Sequence, residues 1–128
     1  ELAVRLPELA RTLAAHGVYG VELLSAYRTH PNTSFHTMGL ALDLSRFWGR
    51  EDDGARWYDV TRDYQVTPMR RTCAGDAPDG AAGVLRGIAC DLHTRGVFQS
   101  VLTPNYNEGH RDHLHLDVRP DDPRLFLR

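Results

Sequence analysis

Two short segments of the chain contain side chains that can bind a metal ion. The first segment, residues 34–43, contains His36 in a polar stretch and Asp43 in an apolar run. The second segment contains three histidines and a carboxylate: His110, His113, His115 and Asp117. Four of the seven histidines therefore fall in these two segments, which are the strongest indication of chemistry in the sequence.

The position of Asp43 indicates either an ion pair or a metal ligand. Asp43 lies between Leu42 and Leu44 in a predicted buried strand, and a carboxylate is costly to bury unless it is paired or bound to a metal. Gly39 allows the chain to turn sharply between His36 and this strand or to approach another strand closely. A pair between Asp43 and an arginine, with His36 exposed on a loop, explains this segment equally well. Both interpretations stay open at this point.

The second segment has the period of two that is typical of a strand. Side chains alternate between faces, so His113, His115 and Asp117 share one face and apolar residues fill the other. Two neighbouring charged imidazoles repel, which favours the neutral form that binds metals. The alternative is an edge strand with solvated polar side chains.

Together the two segments offer two histidines and one aspartate as ligands. A set of three protein ligands with an open fourth position is the catalytic form of a zinc site, whereas structural zinc sites are closed by four protein ligands. Nitrogen and oxygen donors without thiolate suit Zn²⁺, and Mn²⁺, Fe²⁺ and Co²⁺ are compatible with the same donors. The pattern therefore predicts a catalytic metal site.

A longer pattern combines both segments: Ser-x-His-x-x-Gly-x-Ala-x-Asp over residues 34–43, followed far downstream by His-x-His at 113–115. In this pattern the chain resembles the LAS group of zinc metallopeptidases, which includes lysostaphin-type enzymes, D-Ala-D-Ala peptidases and the hedgehog signalling domain. It is more closely similar to the extensin-like C-terminal domain of bacterial proteins. That likeness rests on residues 25–28, on the run 101–107 and on the His-x-x-His-x-His-x-Asp pattern of 110–117. It covers about residues 25–47 and 84–118.

The resemblance implies a set of site residues. His36, Asp43 and His115 are the implied zinc ligands. His113 and His110 are the implied catalytic histidines beside the metal. Arg28 is expected near the cleft, where it could orient a substrate carboxylate. Tyr106, in the loop that leads to the ligand strand, is our best prediction for a second substrate contact.

The activity implied by the resemblance is that of a zinc-dependent hydrolase. The expected substrate is the peptide part of peptidoglycan, cleaved at an amide of a stem peptide or cross-link by an endopeptidase or carboxypeptidase. One departure is that no Glu-x-x-(Trp/His)-His motif precedes His115, so we expect a histidine-based mechanism. The alternative is a catalytically inactive, zinc-containing module that binds the cell wall or a partner.

Two other hydrolase classes fit poorly. The pattern 113–117 copies part of the metallo-β-lactamase motif His-x-His-x-Asp-His, but Val118 stands where the next histidine is needed. A serine hydrolase of the Gly-x-Ser-x-Gly type lacks its nucleophile turn in this sequence.

The elements that must position these residues are predicted from periodicity and from Gly and Pro signals. We expect helices over residues 6–16 and 81–94, and strands over 18–28, 40–44, 57–60, 97–102 and 113–118. Loops are predicted at 29–37 and 72–80, and a surface turn at 50–56. Two helices and unlike connections predict one α+β domain over 1–128, a small, mainly antiparallel sheet with flanking helices. The resemblance implies a LAS/hedgehog-like zinc peptidase fold.

Composition and cysteine usage narrow the function classes. A net charge of −2 argues against a nucleic-acid partner, because no excess of basic residues is available to displace phosphate counterions. The chain lacks an apolar run long enough to span a bilayer. Cys73 and Cys90 could form a disulfide or remain two thiols, and the disulfide is the preferred alternative. With the resemblance, these features predict a monomer that is periplasmic or secreted into the bacterial cell envelope.

Overall fold

The sheet is formed by six strands and is packed against two main helices. The computed structural model describes residues 1–52 and 54–128. Its helices are α1 (Leu6–Ala15), α2 (Val60–Asp63) and α3 (Gly80–Thr94), with short 3₁₀ turns at Leu2–Arg5, Met69–Arg71 and Glu108–His110. Its strands are β1 (Val18–Ser25), β2 (Ala41–Glu51), β3 (Gly54–Asp59), β4 (Ser100–Leu102), β5 (Leu114–Asp117) and β6 (Phe126–Leu127).

The sheet is mainly antiparallel, as predicted. Its strand order is β1-β2-β5-β4-β6, and β3 pairs with the far end of β2. Only the short pairing of β4 with β6 is parallel among the described pairs. The fold is therefore α+β, and the strands with the two motif segments, β2 and β5, are neighbours at its centre.

Helices α1 and α3 cover one face of the sheet. Leucines of β2 and β5 alternate towards this face and join one buried cluster with both helices: Leu9, Leu13, Leu42, Leu44, Leu85, Leu92, Leu114 and Leu116. His16 at the end of α1 pairs with Asp91 of α3 at 2.7 Å, which links the helices. Because side chains alternate along a strand, Asp43 and His115 point to the opposite face of the sheet.

The structure corrects the prediction for residues 50–56. The turn is shorter than predicted, because β2 continues to Glu51 and β3 begins at Gly54, with Arg50 opposite Ala55. Asp52 is in a turn, and Asp53 lies outside the described residues. Arg50 and Arg56 are tolerated in the strands because both side chains are exposed. Other strand boundaries also change: β1 ends at Ser25 and not at residue 28, Val60 starts α2, and only 100–102 of the predicted strand 97–102 is extended.

Two sets of contacts fix the long segment between α2 and α3. Cys73 and Cys90 form a disulfide, so the preferred of the two alternatives is confirmed. The buried side chain of Asn105 accepts a hydrogen bond from the Thr67 backbone at 2.6 Å and donates to Thr72 Oγ1 at 3.0 Å. The segment is thereby tied to α3 on one side and to the loop before β5 on the other.

Within the described part of the chain, no helix has the length and apolar character needed to cross a membrane.

Candidate metal centre

Three ligand-type atoms converge on the face of the sheet opposite the helices. Asp43 of β2 lies directly opposite His115 of β5 in the ladder, and His115 Nδ1 is 2.8 Å from Asp43 Oδ1. His36 Nε2 is 3.2 Å from Asp43 Oδ1 and 3.3 Å from His115 Nδ1. The structure thus brings together the three residues that the resemblance implies as zinc ligands.

The loop before β2 places His36. The backbone N–H of His36 donates to Ser34 Oγ, and Gly39 adopts a φ of +66° as the chain turns into β2. A residue with a Cβ rarely adopts this backbone conformation, which is the reason for a glycine at this position. The sharp turn predicted at Gly39 is therefore confirmed. His36 is fully buried, and this burial, with the charges of His115 and Arg28, lowers its pKa despite the opposing charge of Asp43.

Asp43 is a buried carboxylate whose two oxygens have different partners. Oδ2 accepts a hydrogen bond from Arg28 Nη2 at 2.5 Å, while Oδ1 faces the histidines. Burial raises the pKa of Asp43, but the hydrogen bond from His115 and the charges of the neighbouring histidines outweigh it and hold the pKa below its ordinary value. Asp43 therefore has both an arginine partner and histidine partners, which the sequence analysis treated as alternatives.

The second ring nitrogen of His115 is held by a residue to which the sequence assigned no role. His115 Nε2 lies 3.2 Å from Asp117 Oδ2, and Arg119 Nε donates to Asp117 Oδ1 at 2.8 Å. Burial lowers the pKa of His115, but hydrogen bonds to Asp117 and Asp43 raise it above its ordinary value. The sequence did contain a signal for the contact between His115 and Asp117, because residues 115 and 117 share one face of a strand.

The arrangement is compatible with a tetrahedral metal site. Ligand atoms at about 2.0–2.1 Å from Zn²⁺ lie about 3.3 Å from one another, and the three atoms here are 2.8–3.3 Å apart. Partners on the far side of the ligands are also expected, and two of the three ligands have one: Arg28 on Asp43 and Asp117 on His115. His36 Nδ1, in contrast, is buried without a hydrogen-bond partner among the described residues. The residues present therefore fit a divalent metal ion with nitrogen and oxygen ligands.

His113 and His110 lie beside this cluster. His113 Nε2 is 3.5 Å from Asp43 Oδ1, and His113 Nδ1 is 2.7 Å from Asp112 Oδ1. The ring of His110 is 5.0 Å from that of His113, and its Nδ1 donates to Asn107 Oδ1 at 2.7 Å. Burial, with the charges of nearby histidines, lowers the pKa of His110 to about 4. Both rings are therefore oriented by side chains outside the cluster.

The two expected substrate contacts also border the site. The Tyr106 ring packs edge-on at 5.2 Å from the ring of His110. Arg28 reaches the cluster from the end of β1, and its half-exposed guanidinium also donates to Ser25 Oγ at 2.9 Å. Arg28 also forms an ion pair with Asp43. The sequence alone did not show which arginine would pair with this carboxylate.

Asp117 provides a direct test of how the site is supported. We expect Asp117→Asn to weaken zinc binding about 10- to 100-fold, because the amide no longer accepts a charge-assisted hydrogen bond from His115. Competition with a chromophoric chelator measures the affinity. Asp91→Asn is the matched control, since Asp91 also pairs with a histidine but is remote from the cluster, and unchanged affinity in Asp117→Asn would contradict the role given to this carboxylate.

Fold and site together define an α+β domain with a His/Asp cluster that could hold a metal ion on the open face of its sheet. A family model described as "Extensin-like protein C-terminus" matches residues 7–125. The chain therefore belongs to the extensin-like C-terminal family. Neither a curated protein nor a solved structure matches it. The disulfide is compatible with an extracellular or periplasmic location.

Proposed function

We propose that the protein is a zinc-dependent hydrolase of amide bonds in peptidoglycan peptides, acting in the bacterial cell envelope. The observation that carries the proposal is the convergence of His36, Asp43 and His115 with a further histidine, His113, aimed at the same point. Membership of the extensin-like family, together with the resemblance to the LAS peptidases, supports the choice of reaction and substrate. The disulfide agrees with the oxidising compartment in which peptidoglycan lies.

The three ligands would hold the ion, and the ion supplies Lewis-acid chemistry. When bound, Zn²⁺ polarises the scissile carbonyl and makes a water molecule acidic enough to attack it. The Arg28 contact orients the Asp43 carboxylate, and Asp117 fixes the ring of His115. These contacts fix the ligand geometry before substrate binds.

His113 is the proposed general base. Its Nδ1 lies 2.7 Å from the exposed Asp112 carboxylate, a contact that favours the tautomer with the proton on Nδ1 and with Nε2 facing the site. A positioned imidazole of this kind takes the proton of the attacking water and then delivers it to the leaving amine. This assignment supplies a base without the glutamate motif of the D-Ala-D-Ala peptidases.

His110, Arg28 and Tyr106 line the approach to this centre. His110 uses Nδ1 to donate to Asn107, so its Nε2 is an acceptor for a substrate N–H. Arg28 has donors beyond those that contact Asp43 and can orient a substrate carbonyl or carboxylate. Tyr106 packs on His110 and contributes a wall of the cleft.

Metal analysis and muropeptide hydrolysis of matched variants test the proposal. The wild type is expected to bind about one zinc per chain and to release cleaved stem peptides. His113→Ala is expected to keep zinc and to lose about 100-fold or more in turnover, the range of a general base. His30→Ala, an exposed loop histidine, is the control and should equal the wild type.

Two results would contradict the proposal in different ways. A wild-type protein without bound metal would remove its basis. Retained zinc without turnover in the wild type would favour the alternative, a zinc-containing module that binds the wall or a partner.

A further inference from the structure

A second surface lies on the same sheet face as the metal centre, further along β2. Leu44 and Phe47 both point into the core, but two residues lie between them where a regular strand has one. The two residues between them contact the same side chain. Ser45 Oγ donates to Glu22 Oε1 at 2.9 Å, and Arg46 Nη1 contacts Glu22 Oε2 at 3.5 Å. This is a β-bulge that points both residues to one face.

The bulge places the next outward residue, Trp48, on the face that carries Asp43. Trp48 pairs across the ladder with Trp57 of β3, and their rings are 4.6 Å apart at 51°. The exposed fractions of Trp48 and Trp57 are 37% and 50%. Two partly exposed indoles side by side form an apolar platform, called the Trp48–Trp57 surface below.

Gly20 of β1 supports this platform from below. A Cβ at position 20 would lie 2.0 Å from Trp48 Cε2, so the indole occupies the space that a side chain would need. The ring therefore lies directly over the β1 backbone. This contact makes the platform a fixed part of the sheet, since Trp48 has a defined support.

Charged side chains border the platform, and each is paired with another. Arg46 Nε donates to Asp59 Oδ2 at 2.9 Å, and Arg62 Nη2 donates to the Trp57 carbonyl at 3.0 Å and to Asp63 at 2.6 Å. A cleft of about 340 Å³ is lined by Arg46, Trp57, Asp59 and Arg62. Because the charges are balanced, this border offers hydrogen-bond donors and acceptors without a net charge that would select an ion.

We propose that the Trp48–Trp57 surface binds a saccharide chain through its pyranose rings. A pyranose has an apolar C–H face, which suits an indole, and equatorial hydroxyls, which suit paired guanidinium and carboxylate groups. The cleft beside Trp57 has room for one such ring. An apolar peptide would cover this charged border without forming hydrogen bonds to it, and a polyanion would meet carboxylates as well as arginines.

The distance from the metal centre indicates which saccharide is bound, and this step rests on the proposed function. Asp43 and Trp48 are five residues apart on β2, which corresponds to about 15 Å. An extended peptide of four or five residues spans this distance. A stem peptide cleaved at the metal centre would thus place its attached glycan strand, built of N-acetylated hexosamines, at the Trp48–Trp57 surface.

Tryptophan fluorescence tests this binding with little ambiguity. Both tryptophans of the chain belong to the surface, so their emission reports on it alone. Titration with an N-acetylglucosamine tetramer is expected to give a saturable change in emission, and a sugar-free stem peptide is expected to give none. Trp57→Ala should weaken tetramer binding about tenfold, with Trp48 as the remaining reporter and calorimetry as the second measurement.

Further variants keep the test decisive. Trp57→Phe retains a ring and should keep most of the affinity, while Arg62→Ala, at an exposed position, should weaken binding about threefold. Tyr19→Ala is the control, because this exposed aromatic lines the apolar groove between α1 and β1. His115→Ala should lose zinc but keep tetramer binding, which separates this proposal from the proposed function.

Three results would overturn the saccharide proposal. They are the absence of saturable tetramer binding by the wild type, full affinity in both Trp57→Ala and Arg62→Ala, and displacement of the tetramer by a sugar-free peptide. Each of these can occur whether or not the protein hydrolyses muropeptides.

Discussion

Replacement of Asp43 by asparagine is expected to abolish metal binding while leaving the chain folded. The new side chain would have nearly the same shape but no negative charge, and its amide would present hydrogens to His36 or His115 at the point where a cation must sit. We expect zinc affinity to fall more than about 100-fold, beyond the loss typical of supporting residues, because a charged ligand is removed. Hydrolysis should fall with it.

The same substitution should also destabilise the metal-free protein. Asp43 is fully buried and accepts hydrogen bonds from Arg28 and His115, and removal of one partner of a buried charged network costs about 3 kcal/mol. Zinc calorimetry measures the first effect and urea denaturation with a chelator measures the second. Asp122→Asn, which removes a surface carboxylate paired with Arg124, should match the wild type in both.

A wild-type zinc affinity in Asp43→Asn would show that the ion binds elsewhere. The group formed by His110, His113 and His115 would then be the site to examine, because its ligand atoms also lie within 4.8 Å of one another.

Removal of the disulfide should give the largest loss of stability outside the metal centre. Cys73 and Cys90 are 17 residues apart, and the entropy of closing such a loop in the unfolded chain corresponds to about 3 kcal/mol. For a chain of this size, that loss lowers the thermal midpoint by about 10 °C. The Cys73→Ser/Cys90→Ser variant, measured by calorimetry in oxidising buffer, tests this value.

A reductant supplies the internal control for the disulfide. Wild type with dithiothreitol should approach the double variant, and the double variant itself should not respond to the reductant. A thermal midpoint that does not change on removal of both sulfurs would contradict the expected contribution, and it would leave the Asn105 hydrogen bonds as the main tie of this segment.

Local patterns predicted the helices and the general class of fold. The predicted helices 6–16 and 81–94 agree within one or two residues with Leu6–Ala15 and Gly80–Thr94, because their apolar spacing and glycine stops are strong. The β2–β3 hairpin was not predicted because it is largely exposed and charged, so the alternation that marks a half-buried strand is missing there. Within the hairpin, Phe47 of β2 lies opposite Tyr58 of β3, and both are buried in the core.

The sequence predicted which residues belong to the site, but it did not predict how their side chains contact one another. Period two placed His113, His115 and Asp117 on one face, which also contained the signal for the His115–Asp117 contact. The contact of Arg28 with Asp43 depends on where β1 ends relative to β2, and no local pattern encodes it. The assignment of zinc and of a reaction to this cluster stays a prediction.

The direct opposition of Asp43 and His115 would make uptake of the proposed metal ion a reporter of folding. These residues are 72 positions apart in the chain and meet only when β2 and β5 pair in the native register. A slip by one residue would leave the two side chains on opposite faces of the sheet, so a misregistered chain cannot offer the pair to an ion. The rate at which a refolding sample captures zinc would therefore time the formation of the central strand pair, a long-range event that circular dichroism of helices does not resolve.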